Sequence, residues 1–315
     1  MRGLVAMLVM MLVAGRSVAA NAPLRAPRPA TADAERTAGT AIPGVLAAGA
    51  TLEVLATGLR GTEGALALPD GSVVFCEFNA NRLVRIDLSG RFTTYLWDFN
   101  RPIGLGYDTK GRLIAAESRV PRLEVLTPRR MTLVDSFRGQ PLVRPNDLIV
   151  DRRGGIYFTD PIPDSRIQFR APPAGRKPLL FYISPAGALM EATDAVAEPN
   201  GVELSPNGRI LYAVDGRYIM AFDVRPDGTL IHPRKFVDVR GDGLAMDDAG
   251  RLYVATVRGV EVVSPAGVPL GVIHTPTRVQ SMAFGGRGRR MLYAVGGGNV
   301  YRIALLARGV RGREK

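Results

Sequence analysis

At 315 residues the chain is long enough to bury a full hydrophobic core, and it must rely on one, because Cys76 is its only cysteine and no internal disulfide can form. The formal net charge of +12 invites a nucleic-acid reading, but the arginines are scattered through turns and strand edges and no recognisable binding module is present, which excludes nucleic acid as a primary partner. A preference for anionic substrates or for an acidic envelope surface stays open.

Residues 1–19 have the pattern of an export signal. Arg2 gives a basic start, Leu4 to Ala14 is almost continuously apolar, and Ser17-Val18-Ala19 offers small residues for cleavage. That run is short for a bilayer span, which takes roughly 20 apolar residues, and no later segment is longer. The expected compartment is therefore the periplasm or the exterior, without stable membrane insertion after cleavage. Residues 20–45, rich in Ala, Pro, Arg and Thr and without periodicity, are expected to form a flexible arm. The folded body is expected over 46–308, followed by a basic tail at 309–315.

Through the body one motif recurs: a short apolar strand, a turn ending in glycine, and a second apolar strand. Its six copies are ALALPDGSVVF (65–75), GLGYDTKGRLIAA (104–116), DLIVDRRGGIYFTD (147–160), GVELSPNGRILYAVD (201–215), GLAMDDAGRLYVAT (243–256) and SMAFGGRGRRMLYAV (281–295). The turn glycines Gly71, Gly111, Gly155, Gly208 and Gly250 lie 40, 44, 53 and 42 residues apart, a period that suits four-stranded propeller blades. The long gap holds a Pro- and Arg-rich insertion at 163–179, expected as a loop near the central opening.

A third strand follows each hairpin: RLVRIDL (82–88), RLEVLTP (122–128), LLFYISP (179–185), YIMAFDV (218–224), GVEVVSP (259–265) and NVYRIAL (299–305). The strand LEVLAT (52–57) precedes the first copy without a turn partner, so it is expected to join the last blade and close the ring. Helix is nearly absent, which removes a dinucleotide-binding reading of the glycine-rich GGGNVY (296–301). The expected fold is all-β, a six-bladed propeller with a central metal site; a seven-bladed or irregular sandwich arrangement competes with it.

Aligning the copies puts Glu63, Ile103, Asn146, Asn200, Asp242 and Gln280 at or next to the head of the inner strands, facing one mouth of the channel. Each polar one has an ordinary alternative, since Asn and Asp start turns everywhere. Their convergence on one repeat position argues for more. Two carboxylates and two amides offer hard oxygen donors, which favours Ca2+, with Zn2+, Mn2+ or Fe2+ open. His232 and His274 read as surface or structural residues.

The stretches TEGALALPDG, RPNDLIVDRRGGIYFTDP, EPNGVELSPNGRILYAVD, GDGLAMDDAGRLYVA and MAFGG…MLYAV resemble the SMP-30/gluconolactonase/LRE-like family over residues 50–305. The resemblance implies a six-bladed propeller with a divalent metal held by Glu63, Asn200 and Asp242. It places Asn146 beside metal and substrate, Arg144 on substrate, and Asp147 and Asp215 near the channel. The chain departs from the family pattern at EGALA after Glu63, at Ser118, and at Gln280-Ser281, where Gln280 takes a substrate-facing position.

The expected activity is metal-dependent hydrolysis of a small-molecule lactone or ester, with Asp242 assisting proton transfer and Arg144 and Asn146 orienting substrate. No G-x-S-x-G elbow or serine–histidine pair supports a nucleophilic serine. A metal-dependent isomerase or lyase, or a ligand-binding or scaffold propeller, keeps the same fold. A closed ring needs no partner, so a monomer is the expected state.

Overall fold

The computed structural model describes residues 39–162 and 171–312. The leader at 1–19, the arm over 20–38, part of the 163–179 insertion and the end of the basic tail lie outside the described residues. No helix among the described residues is long and apolar enough to cross a membrane.

Six four-stranded antiparallel sheets make the blades of a propeller. In the first, Thr62–Ala67, Val73–Glu77, Arg82–Ile86 and Phe92–Trp97 run from the channel outward. The inner strands of the next five are Pro102–Tyr107, Leu148–Val150, Pro199–Leu204, Leu244–Met246 and Ser281–Gly285. The sixth blade is completed by Glu53–Ala56, which pairs antiparallel with Asn299–Ala304. Joining the two ends of the chain in one sheet closes the ring and leaves no free edge between first and last blades.

The apolar runs are continuous because the middle strands are buried on both faces. Successive side chains point to opposite faces of a strand, so Tyr157 packs toward the fourth blade and its neighbour Phe158 toward the second. The core accordingly divides into six clusters, one between each pair of adjacent blades. Cys76 is a free, fully buried member of the cluster between blades 1 and 2, and burial pushes its thiol pKa well up.

At the end away from the mouth, the hairpin turns repeat one device. Asp108, Asp151 and Asp247 each accept two turn N–H groups on Oδ1: from Lys110 and Arg112, from Arg153 and Gly155, and from Ala249 and Arg251. The third blade corrects one expectation. Its left-handed turn residue is Gly154, with φ 90°, rather than Gly155. Gly155 is needed for a different reason, because a Cβ there would lie 2.0 Å from the Tyr182 hydroxyl.

Two boundaries also move. Residues 39–45 were expected in a flexible arm, yet Ile42 and Val45 are buried between blades 5 and 6, where their apolar side chains fill the core. Residues 309 and 310 were expected in the tail, yet Gly309 bridges to Asp247 and Val310 is buried between blades 4 and 5.

Candidate metal centre

At the mouth, the six residues at the head of the inner strands come together around one pit: Glu63, Ile103, Asn146, Asn200, Asp242 and Gln280 all line it. The enclosed space is about 10 Å³, the size of a single water or ion rather than a substrate.

Close approach of neighbouring blades makes the pit this narrow. The Gly201 N–H donates to the Asp242 carbonyl at 2.9 Å, and the Gly243 N–H to the Gln280 carbonyl at 2.8 Å. A Cβ on Gly201 would stand 2.3 Å from that same Asp242 oxygen. Where this position carries a side chain, the side chain makes the link. Ser281 Oγ accepts the Ala65 N–H at 2.9 Å, and Asp147 accepts the Val202 N–H at 3.0 Å.

Asp147 was expected to bind substrate, and the structure also gives it a backbone role. It lines the pit, but one carboxylate oxygen takes the Leu148 N–H and the other the Val202 N–H, so it ties blade 3 to blade 4. Asp215, also expected at substrate, is not among the residues lining the pit. It ends the second strand of its blade and accepts the Glu198 N–H at 2.7 Å. Glu77, Glu117 and Asp160 do the same in their blades, taking N–H groups of Arg60, Asn100, and Val143 and Arg144. These carboxylates fix the chain as it enters each inner strand, a role the sequence reading did not assign. Gln280, expected at substrate, lines the pit, donates from Nε2 to Glu63 at 2.7 Å and accepts the Gly297 N–H at 3.0 Å.

The electrostatics follow from crowding acids in a pit with little water. Burial, then the like charges of Asp242 and Asp147, push the Glu63 carboxyl well above the usual range, against the hydrogen bond from Gln280. Burial also raises Asp242, to about 6, while Arg278, a hydrogen bond from Asn200 and Arg144 hold it down. Arg144 is held below its usual pKa by desolvation, opposed by the negative charges of Glu63 and Asp242. Its backbone N–H is anchored on Asp160, and its Nε is buried without a hydrogen-bond partner.

Among the described residues no three His, Cys, Asp or Glu side chains come together as a metal-binding group. The oxygen-bearing side chains lining the pit include the carboxylates of Glu63 and Asp242 and the amides of Asn146 and Asn200, beside Asp147 and Gln280. Such an all-oxygen set, crowded enough to raise both carboxyl pKa values, fits a hard divalent cation, which would relieve that repulsion. His232 and His274 sit exposed on outermost strands, far from this chemistry in the topology.

The chain is similar to several characterised proteins. A gluconolactonase from Zymomonas mobilis subsp. mobilis is 24% identical over 80% of each chain. The lactonohydrolase oryL from Aspergillus oryzae is 27% identical over 58% of this chain, which spans about half of that protein's length, 48%. Among solved structures, the gluconolactonase XC5397 from Xanthomonas campestris superposes with a TM-score of 0.77 at 28% identity, covering 88% of this chain and 96% of that one. Residues 61–296, which run from the first inner strand to the last hairpin, match the SMP-30/Gluconolactonase/LRE-like region, and the chain belongs to that family.

Proposed function

We propose that this protein is an exported, cation-assisted lactonase working at the channel mouth. The convergence of Glu63, Asn146, Asn200 and Asp242 from four different blades on one ion-sized pit carries the reading. Similarity to gluconolactonases and to a lactonohydrolase supports lactone as the substrate class. A divalent cation held by Glu63, Asn200 and Asp242, with Asn146 beside it, would supply Lewis-acid polarisation of the lactone carbonyl; Ca2+ suits the donor set best.

The chain's own residues then supply position and a proton path. Gln280 holds the Glu63 carboxylate by its 2.7 Å hydrogen bond, and Asn200 does the same for Asp242. Water adds to the lactone carbonyl carbon and its proton passes to Asp242; the ring C–O bond breaks, and the ring oxygen takes the proton back, giving the hydroxy acid. An Asp242 oxygen that the cation does not engage would accept that proton. Arg144, on a loop pinned by Asp160, orients the substrate from above.

The test is a panel of sugar and aliphatic lactones, assayed before and after chelation, with metal analysis of the purified protein. Hydrolysis lost on chelation and restored by a divalent ion is the expected outcome. Turnover that survives complete metal removal, or tightly bound metal with no turnover of any lactone, would defeat the proposal.

A further inference from the structure

The arginines are scattered along the chain, but the fold collects many of them at the end away from the mouth. Each hairpin between the first two strands of a blade turns there, and contacts between neighbours make the turns one surface. The Gly286 N–H donates to the Gly71 carbonyl at 2.8 Å, joining blades 6 and 1. Arg152 Nη2 donates to the Pro206 carbonyl at 2.8 Å, joining blades 3 and 4. After the last strand, residues 305–312 cross below the ring as a strap. Its Gly309 N–H donates to the Arg289 carbonyl at 3.0 Å, and its Arg308 carbonyl takes the Asp248 N–H at 2.8 Å. Arg311 lines two hollows, one of about 240 Å³ beneath blades 1 to 3 and one of about 470 Å³ beneath blades 1, 5 and 6.

Carboxylates do not balance the charge of this face. Asp108, Asp151 and Asp247 are buried, and each pairs with the arginine of its own turn, Arg112, Arg153 or Arg251. The exposed Asp70 and Asp248 are taken by Arg85 and Arg308. Lys110, Arg152, Arg209, Arg287, Arg290 and Arg311 are exposed, and none of them pairs with a carboxylate among the described residues. The adjoining outer turns 87–91 and 225–229 each carry one acid and one base, so they leave that surplus unchanged. The mouth is the opposite case, with the carboxylates of Glu63, Asp147 and Asp242 crowded into its pit.

Aliphatic side chains stand among these cations. Leu306 on the strap is 52% exposed, and Leu88, 46% exposed, lies against the Gly71 turn. Val268, 56% exposed, belongs to an outer turn whose Pro265 lies against the Gly250 turn.

We propose that this face docks on an anionic phospholipid surface, with the cations over the phosphates and the aliphatic side chains in the headgroup layer. The inference goes beyond the lactonase reading and does not depend on it. Duplex nucleic acid would satisfy the cations too, but it would leave Leu88, Val268 and Leu306 in water. A bilayer interface takes up both kinds of group, attracting the charge by its surface potential and burying the apolar area. The two hollows give phosphates room beside Arg152, Arg287 and Arg311. Docked in this way, the ring turns its mouth outward, and the pit stays open to small molecules.

The experiment is co-sedimentation of the full chain with two kinds of vesicle: phosphatidylcholine alone, and an equal mixture of phosphatidylcholine and phosphatidylglycerol. Retention on the anionic vesicles is expected, weakening as salt rises. Arg287→Gln combined with Arg311→Gln should lower the apparent affinity about fivefold for each charge removed. Arg234→Gln combined with Lys235→Gln takes the same charge from the outermost strand of blade 4, Leu230–Val237, and should leave affinity near that of the parent. Leu306→Ser should weaken the binding that persists at high salt. All of these chains share residues 1–38, so differences between them report the far face and not the apolar leader. The substituted side chains are exposed, and melting temperatures equal to the parent's would confirm intact folding. Equal losses in the two double variants would mean that net charge alone governs binding and would overturn the proposal. So would retention that ignores lipid charge, or retention on duplex DNA with none on the anionic vesicles.

Discussion

The two ends of the channel treat the same repeat in opposite ways. Away from the mouth, blades 2, 3 and 5 use one solution, an Asp that gathers two turn N–H groups before a left-handed glycine. At the mouth the equivalent position differs almost from blade to blade: Glu63, Ile103, Asn146, Asn200, Asp242 and Gln280. Where the copies agree, the residue serves the backbone that every blade shares. Where they diverge, each side chain is free to serve a single site, and only there can an asymmetric donor set be built inside a nearly symmetric ring.

The largest effects should separate the two ends. Replacing Asp242 by Ala removes a pit donor without touching a blade core, so lactone turnover and metal retention should fall at least about a hundredfold while the metal-free fold keeps its stability. Replacing Asp247 by Ala should do the reverse. Asp247 is fully buried and also accepts from Arg251 Nε and the Tyr253 hydroxyl, so its loss leaves a guanidinium and turn N–H groups unpaired and should cost about 3 kcal/mol. Activity per folded molecule should persist. Thermal melts and assays of the two variants side by side break the contrast if Asp242→Ala unfolds the protein or Asp247→Ala inactivates it while folded.

Glycines sharpen the same contrast at a smaller scale. Gly201→Ala drives a Cβ to 2.3 Å from the Asp242 carbonyl, forcing blades 4 and 5 apart at the pit. A loss of about 1–3 kcal/mol should come with a marked fall in turnover, since the carbonyl it displaces belongs to a pit residue. Gly111→Ala, in a turn with open space around it and φ 71°, should cost about 1 kcal/mol and leave turnover intact. Equal effects of both on turnover would mean that the ring of close contacts does not set the pit geometry.

Much of this was legible in the sequence because the repeat supplies its own alignment. The hairpins, the third strands, the closing strand at 52–57 and the six pit positions all follow from matching copies. The outermost strands were harder to place. Phe92–Trp97 and Met131–Val134 are half-buried or exposed along most of their length, so they lack an apolar rhythm. Acids carried a second role that the repeat does not announce. A carboxylate near a channel looks functional in a sequence, yet Asp215 holds the strand entry of its blade and Asp147 bridges two blades, because a buried N–H needs an acceptor as much as a ligand does.

The smallest effect concerns protons at the mouth, and it tests whether the pit acids are held ready for a cation. Asp242 is raised to about 6 and Glu63 is raised as well, both by burial first. A carboxyl whose pKa is higher in the folded state than in the unfolded chain favours folding while protonated, so metal-free protein loses stability as pH climbs from about 4 through about 6. Metal-free Asp242→Asn lacks this titration at position 242. Its melting temperature should therefore match the parent near pH 4 and exceed it near pH 7.5. A cation must displace both protons, so its apparent affinity should rise with pH, by up to about a hundredfold per pH unit while both carboxyls are protonated, and level off once both are ionised. Calorimetry in buffers of different ionisation enthalpy would register the released protons. Affinity that stays flat from pH 5 to 7.5, with no proton release, would mean that Glu63 and Asp242 do not face the ion together. The mouth acids would then be as purely structural as Asp108, Asp151 and Asp247 at the opposite end.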